Sequence, residues 1–360
     1  MSAIVTTYKP PSGSAPSVPV AFSSGTVWYA DQNDTAIIPF DASTHTFGKP
    51  IPNPTVIPYR SSIVVENVSP RVLNGAPLAP PSLSRGADGR LWGVGYADKR
   101  LGMSQYASTS AIVAYDPSGS SRAFSIPNFY TPGSLTVIGE NGRPWSMVWT
   151  HESIAAVVQI NANGSITPKF TVPRTTLPAQ YSVRYAKFGA NGVVWLLSTG
   201  FPYPRITRWI LGSQSATQIS LPVDGYLRCE EITTSPDGSA WIVGQEINAA
   251  ERAQTYFYRV SPAGVVTVFE IRGLNSRRTC PVTIFAANGS IWAVATVAYG
   301  PNVGDAYLLR VDPSGTVTQS AIADARGAIA QVGPSIQGSS TNAFLSSSAG
   351  VIPELRYEPR

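Results

Sequence analysis

Short stretches of alternating apolar and polar residues recur along this chain, each opened by a tight-turn dipeptide and anchored by a tryptophan. Asn288-Gly289-Ser290-Ile291-Trp292-Ala293-Val294 is the clearest copy. Asp88-Gly89-Arg90-Leu91-Trp92, Asn141-Gly142-Arg143-Pro144-Trp145, Asn191-Gly192-Val193-Val194-Trp195 and Asp237-Gly238-Ser239-Ala240-Trp241 repeat it. Ser24-Gly25-Thr26-Val27-Trp28 is a weaker version, and Thr341-Asn342-Ala343-Phe344 keeps only the aromatic. A recurrence of roughly 40–50 residues indicates a propeller, solenoid or array rather than a string of unrelated domains. Asp-Gly and Asn-Gly supply the positive φ angles of a two-residue hairpin. Asp-Pro-Ser-Gly, after the third segment of several repeats, fits a type I turn.

Each repeat therefore reads as four short strands: a small-residue or apolar segment, the tryptophan strand, an alternating strand, and a Thr/Val-rich strand closing with Ile-Pro or Val-Pro. The spacing from Trp28 to Trp92 is longer than the others, which places an insertion at 55–78 between blades one and two. Within it Ile63–Val68 has the composition of an extra strand. The segment 98–110 reads as a long loop between the second and third strands of blade two. The C-terminal repeat offers three strands (330–336, 342–347 and 351–357), while residues 3–10 form a fourth strand with no first three. Pairing Ile4–Tyr8 beside Val351–Tyr357 completes the last blade and protects the sheet edges. The expectation is an all-β, seven-bladed β-propeller of four-stranded antiparallel blades, a single domain over 1–360, closed into a ring by its N-terminal strand.

The unit Asp-Gly-x-x-Trp, strand, Arg-Val-Asp-Pro-x-Gly-x-Val-Thr, Ile-Pro resembles the repeat of the virginiamycin B lyase-like (streptogramin lyase) seven-bladed propellers. The resemblance covers nearly the whole chain. It implies the fold, and it implies a lyase site of histidine and glutamate near the channel mouth, helped by magnesium. This chain departs from that pattern. It has two histidines, His45 and His151. His45 falls in a third-to-fourth-strand turn. His151 follows blade three's tryptophan strand beside Glu152, and Glu246 falls in the corresponding loop of blade five. These three are the candidates for a minimal acid–base site, since such a site needs a group titrating near neutrality and a partner to tune it.

Composition narrows the classes further. Only 13% of the residues are charged, about half the usual share, so the polar surface is mainly Ser, Thr, Asn, Gln and backbone. The net charge of +5 is carried by 21 Arg against 5 Lys without basic runs, which argues against nucleic-acid binding. No window approaches a membrane span, and residues 1–11 lack the features of a signal peptide. Cys229 and Cys280 each precede their blade's tryptophan by 12 residues, so they read as free thiols at equivalent places in neighbouring blades. No metal-ligand spacing, phosphate-cradling glycine loop or Gly-x-Ser-x-Gly elbow is present. Asp31-Gln32-Asn33-Asp34 reads as a turn rather than a cation loop. No cofactor or metal is expected.

Two groups remain as a candidate ligand or partner face. Arg184, Arg228, Glu230, Arg277 and Arg278 fall at or just before the first strands of blades four to six. There a rigid guanidinium fork suits carboxylate or phosphate, and Arg–Glu bridges that brace the ring are the alternative. Trp149, Phe201, Tyr203 and Tyr299 fall in second-to-third-strand loops, as recognition of protein or carbohydrate would require, or as caps on the core. The repeated tryptophans themselves read as core. The expected function is a non-catalytic binding or structural module of an external assembly, such as a phage virion protein or adhesin. Its partner is a protein or a surface glycan, in a virion or extracellular setting, with the cytoplasm left open and oligomerisation within a larger complex compatible. The alternatives are a streptogramin lyase-like enzyme using His151 with a carboxylate, and a secreted lectin-like propeller.

Overall fold

A computed structural model describes residues 2–11, 15–55, 77–78, 80, 83–100, 106–125, 129–130, 136–138, 143–150, 155–171, 183–189, 192–198, 205–210, 213, 216–223, 226–228, 231–247, 253–274, 279–297, 305–323, 335–337, 342–346, 349 and 351–358. Among these residues all regular structure is strand apart from a single residue of 3₁₀ turn, and the strands form seven antiparallel sheets. The fold class is the seven-bladed β-propeller.

The N-terminal strand β1 (Ser2–Tyr8) belongs to the last blade. Blade one holds β2 (Pro16–Ser23), β3 (Thr26–Asp31), β4 (Ala36–Asp41) and a fourth strand broken into β5 (Thr46–Phe47) and β6 (Ile51–Pro52). The break falls at Gly48-Lys49-Pro50, where proline cannot donate to the ladder. Blade two holds β7 (Ser84–Arg85), β8 (Leu91–Arg100), β9 (Tyr106–Asp116) and β10 (Ser120–Ser125). Blade three has a split first strand, β11 (Phe129–Tyr130) and β12 (Thr136–Ile138), then β13 (Pro144–Thr150), β14 (Ala155–Ile160) and β15 (Ile166–Thr171).

Blade four is β16 (Val183–Phe188), β17 (Val193–Ser198), β18 (Arg205–Ile210) and β19 (Ala216–Ser220). Blade five is β20 (Tyr226–Arg228), β21 (Ile232–Thr234), β22 (Ala240–Ile247), β23 (Ala253–Val260) and β24 (Val266–Ile271). Blade six is β25 (Thr279–Ala287), β26 (Ser290–Val297), β27 (Ala306–Val311) and β28 (Val317–Ile322). Blade seven is β29 (Ser335–Gln337), β30 (Asn342–Leu345), β31 (Ile352–Glu358) and, as its fourth strand, β1. The register of that last pairing runs from Ser2 opposite Glu358 to Tyr8 opposite Ile352, as the sequence predicts.

The chain's contacts group it into two compact units, one of Met1–Pro19 with Pro178–Arg360 and one of Val20–Leu177. In the first, blades pack through three apolar layers. One joins blades four and five around Trp195, Leu197, Ile242 and Tyr258. The next joins blades five and six around Trp241, Phe257, Ile284 and Leu309. The third joins blades six and seven, where Val5 of β1 meets Trp292, Leu308 and Tyr357. In the second unit, Trp28, Leu91, Val113 and Tyr115 hold blades one and two, and Trp92, Ile112 and Ile160 hold blades two and three. Trp92, Trp195, Trp209 and Trp292 are wholly enclosed, so burial of large aromatic area explains the conspicuous repeat.

Each indole N–H finds a local acceptor where the turn supplies one. Trp92 donates to the Asp88 carboxylate (3.1 Å), Trp241 to Ser235 Oγ (2.9 Å), and Trp292 to the Ala287 carbonyl (3.1 Å). Trp195 reaches across to the Gly238 carbonyl of blade five (3.0 Å). In blades four, five and six the residue opposite the tryptophan on the third strand is an arginine: Arg208, Arg259 and Arg310. Arg259 and Arg310 lie over their tryptophan rings at 5.8 and 5.3 Å. This accounts for part of the Arg-over-Lys bias as a structural device, since guanidinium stacks on aromatic faces.

Two expectations are corrected, and a third falls largely outside the described residues. The segment 98–110 is not one long loop. β8 and β9 run on as a paired ribbon to Arg100 opposite Tyr106, because backbone pairing persists where side chains no longer need to be apolar. The two cysteines are not in equivalent register. Cys280 stands opposite Thr296, and the matching place in blade five, opposite Gln245, is held by Arg228 rather than Cys229. The turn from Thr234 to Ala240 is one residue longer than that from Ala286 to Ile291, which shifts the count. Of the insertion, 56–76 lies outside the described residues, including the expected strand at 63–68. Its ends are joined by a Thr55–Pro77 bridge and a Leu78 N–H to Pro54 carbonyl bond (2.9 Å).

Candidate functional site

The first strands of blades four, five and six share a defect. In β16, Val183 faces Ser198 and Tyr185 faces Leu197, leaving Arg184 as an extra residue. In β25, Pro281 faces Ala295 and Thr283 faces Val294, leaving Val282 extra. In blade five the ladder is interrupted between Arg228 opposite Gln245 and Ile232 opposite Ile242, which separates β20 from β21. Measured from each blade's tryptophan, the two bulges and this interruption fall at one register. A bulge bends its strand and re-aims the extra side chain. Pro281, which has no N–H to donate, helps to impose it in blade six.

Beside this row stands Glu231, between β20 and β21. Its carboxylate is largely enclosed, with 12% of the side chain exposed. The Lys187 ammonium of blade four approaches it at 3.9 Å, and the Ile284 N–H of blade six donates to it at 3.3 Å. One carboxylate therefore touches the first strands of three consecutive blades. Both contacts are long, so each contributes modestly. Sequence reasoning passed over Glu231 in favour of its neighbour Glu230. The available signal was an acid immediately before the strand that opens at Ile232, which spacing alone does not separate from surface.

The sequence candidates fall as follows. Arg184 lies on β16 within its bulge, and Arg228 ends β20 where the first strand of blade five is interrupted. Glu230, Arg277, Arg278, Phe201, Tyr203, Tyr299, His151 and Glu152 lie outside the described residues. Trp149 is not in a loop: it belongs to β13, opposite Tyr130 on β11 and Ala155 on β14. Glu246 is likewise not in a loop. It sits on β22 between Leu227 and Gln254, half-buried. Burial pushes the nearby Tyr256 phenol up from its ordinary pKa, with the charges of Glu246 and Glu270 adding to the effect. His45 does occupy the expected turn, at φ 56° and 6.3 Å from the Phe40 ring.

Asp31 is consumed by its own turn. Its carboxylate accepts from Thr35 N–H (2.6 Å), Thr35 Oγ1 (2.6 Å) and Ala36 N–H (3.2 Å), the Asx-type turn that its sequence suggests. Among the described residues no group of three or more His, Cys, Asp or Glu side chains is placed to hold a metal ion. No helix there is long and apolar enough to cross a membrane.

No known protein family and no curated protein sequence matches the chain. Solved structures do match its fold. YCF48 bound to D1 peptide superposes with a TM-score of 0.62 at 12% identity, covering 99% of this chain and 96% of that one. The Kuenenia stuttgartiensis hydrazine synthase gives 0.64 at 9% identity, covering 96% and 97%. An ulvan lyase of polysaccharide lyase family PL25 gives 0.61 at 11% identity, covering 98% and 96%. The chain is a seven-bladed β-propeller. At these identities the likeness is one of fold, and none of these three is a virginiamycin B lyase.

Proposed function

We propose that this propeller is a non-catalytic binding module that takes a protein partner at the first strands of blades four to six, as a component of an external assembly such as a phage tail, fibre or decoration protein, or an adhesin. The observation that carries the reading is the interruption of three consecutive first strands at one register, by bulges in blades four and six and a break in blade five, with Arg184 in one bulge and Arg228 at the break. Bulges next to binding sites re-aim side chains, and arginine forks suit the carboxylates of an acidic segment. YCF48, of similar fold, is described as bound to a peptide, which supports peptide-scale recognition. A composition of 13% charged residues suits a rigid body working in an assembly.

The first test is fractionation of the native source by size, following this chain by mass spectrometry. Co-migration with a multi-megadalton particle is expected. Elution near the chain's own 38.2 kDa would sink the assembly reading. The partner site is tested by Arg184→Glu with Arg228→Glu, which should abolish co-migration while leaving the melting temperature within a few degrees. Unchanged co-migration would remove these strands from the interface.

A further inference from the structure

The outer strand of blade five, away from the first strands, ends its sheet. β24 is the edge strand of its sheet, and hairpin geometry fixes which of its backbone groups face outward. Ser261 N–H donates to the Val265 carbonyl (2.9 Å), and Gly264, at φ 88°, closes the turn by donating to the Ser261 carbonyl (2.8 Å). From this bonded pair the ladder alternates, so Thr267, Phe269 and Ile271 bond inward to β23. Val266, Val268 and Glu270 then direct N–H and C=O to the free edge.

The same rule applied to β28 in blade six gives Val317, Gln319, Ala321 and Ala323 as its outward row. Ala323 is in fact taken up by β1: it donates to the Ala3 carbonyl (3.2 Å) and accepts from Val5 N–H (3.1 Å). The fold thus already pairs one outward row with a further strand. Two of the other described edge strands are blunted. β15 carries Pro168 next to a register shift, and the fourth strand of blade one is broken. β24 is regular in register and exposes Val268 (41%), near the turn residue Val265 (63%). Natural edges of that kind are usually protected.

Alongside this edge runs a groove of about 550 Å³, lined by Phe269–Arg272 of blade five and Gly315, Val317, Thr318 and Gln319 of blade six. Gly315 is at φ 87°, and a Cβ there would stand 3.1 Å from the Phe269 ring, so glycine both makes the turn and lets the walls approach. Side chains alternate across a strand. Phe269 and Ile271 face this groove with the core of blades five and six, while Glu270 lies on the opposite face, across from Tyr256.

We infer that the β24 edge accepts an extended segment of another protein as an added strand, with a basic residue opposite Glu270 and apolar residues on either side of it seated in the groove. Strand addition takes affinity from the main chain and specificity from alternate side chains. An incoming residue opposite Glu270 shares its face, where a Lys or Arg complements the exposed carboxylate. Its two neighbours point the other way, toward Phe269, Ile271 and Val317. The recognised pattern is therefore apolar-basic-apolar in an extended chain.

The test is fluorescence polarisation of the full chain with three labelled peptides, Thr-Val-Lys-Val-Thr, Thr-Val-Glu-Val-Thr and Thr-Thr-Lys-Thr-Thr. The first should bind at least tenfold more tightly than the other two. Glu270→Lys should reverse the order of the first two. Val268→Pro should abolish binding, because it removes an outward N–H that the parent sheet does not use. Glu270→Lys, a change on an exposed side chain, keeps the proposal testable if Val268→Pro disturbs folding. Equal binding of all three peptides, no binding at all, or an order indifferent to Glu270→Lys would overturn the proposal. So would concentration-dependent dimerisation lost on Val268→Pro, since that would assign the edge to a second copy of the chain.

Discussion

Replacing Glu354 by Gln isolates the polar latch that fastens the N-terminal strand to the last blade. The Glu354 side chain is 2% exposed and gathers three donors: Asn342 Nδ2 at 2.6 Å, Tyr8 hydroxyl at 2.7 Å and an Arg356 guanidinium nitrogen at 3.0 Å. Glutamine keeps the shape but supplies one acceptor oxygen and turns the other into an NH₂, so at least one donor meets a donor. Breaking a fully buried ion pair costs about 3–5 kcal/mol. Here Arg356 is 48% exposed and can be rehydrated, while Asn342 and Tyr8 retain part of their bonding. The expected cost is about 2–3 kcal/mol.

That cost is local, so the assay is native-state hydrogen exchange on the amides of β1. Loosening by this amount should speed their exchange roughly 30–150-fold, with amides of blade four unchanged. An acceleration below threefold in a folded variant would refute the idea that this carboxylate fastens the strand. Tyr8→Phe removes one donor and leaves the charge paired with Arg356, so its effect should be smaller than that of Glu354→Gln.

The same latch has a pH window. Burial raises the Glu354 pKa, but donation from Arg356, Tyr8 and Asn342 outweighs it and holds the carboxyl below its ordinary value. Its contribution is therefore present above the unfolded value of about 4.3 and is lost as pH falls through the depressed one. Tyr8 is pushed up to about 12 by burial, then by its bond to Glu354 and that group's charge. Its contribution holds below about 10 and fades as pH rises toward 12. Protection of the β1 amides, taken relative to their intrinsic exchange at each pH, should be greatest on the plateau between and fall on both flanks, and Glu354→Gln should flatten the acid flank. Trp292→Ala, at a wholly enclosed ring 4.7 Å from Tyr357, should cost about 3–5 kcal/mol and lower the melting temperature of the chain. Arg259→Ala removes a half-exposed partner of Asp237 and should cost under about 1 kcal/mol in the same assay.

The blades were legible because their signals are local and repeated. Turn dipeptides sit where positive φ is needed, as at Gly89, Gly238 and Gly289, and one enclosed tryptophan follows each. The pairing of β1 with β31 was legible by counting, since one strand was missing at one end and spare at the other. Strand length was harder. Trp149 and Glu246 read as loop residues because the apolar pattern stops before the ladder does, and main-chain pairing carries no side-chain signature once a strand leaves the core. The cysteine register failed for a related reason: a turn longer by one residue in blade five displaces every count made through it. Of the candidate arginines, the strand positions of Arg184 and Arg228 could be read from their recurrence. The bulges could not, because an unpaired residue shows only against its partner strand. Glu231 joins blades whose relation to it is set by packing rather than spacing.

The pairing of Ser2 with Glu358 brings the two ends of the described chain side by side. A few flexible residues would therefore join them, and the chain could be cut instead at an exposed turn such as Pro313-Ser314 in blade six. In such a circular permutant the last blade would be continuous in sequence, and its fourth strand would no longer have to find, once the intervening chain is made, a partner some 350 residues away. Loop-closure entropy would be transferred from that pairing to the cut. Folding order, more than final stability, is what that rearrangement would change.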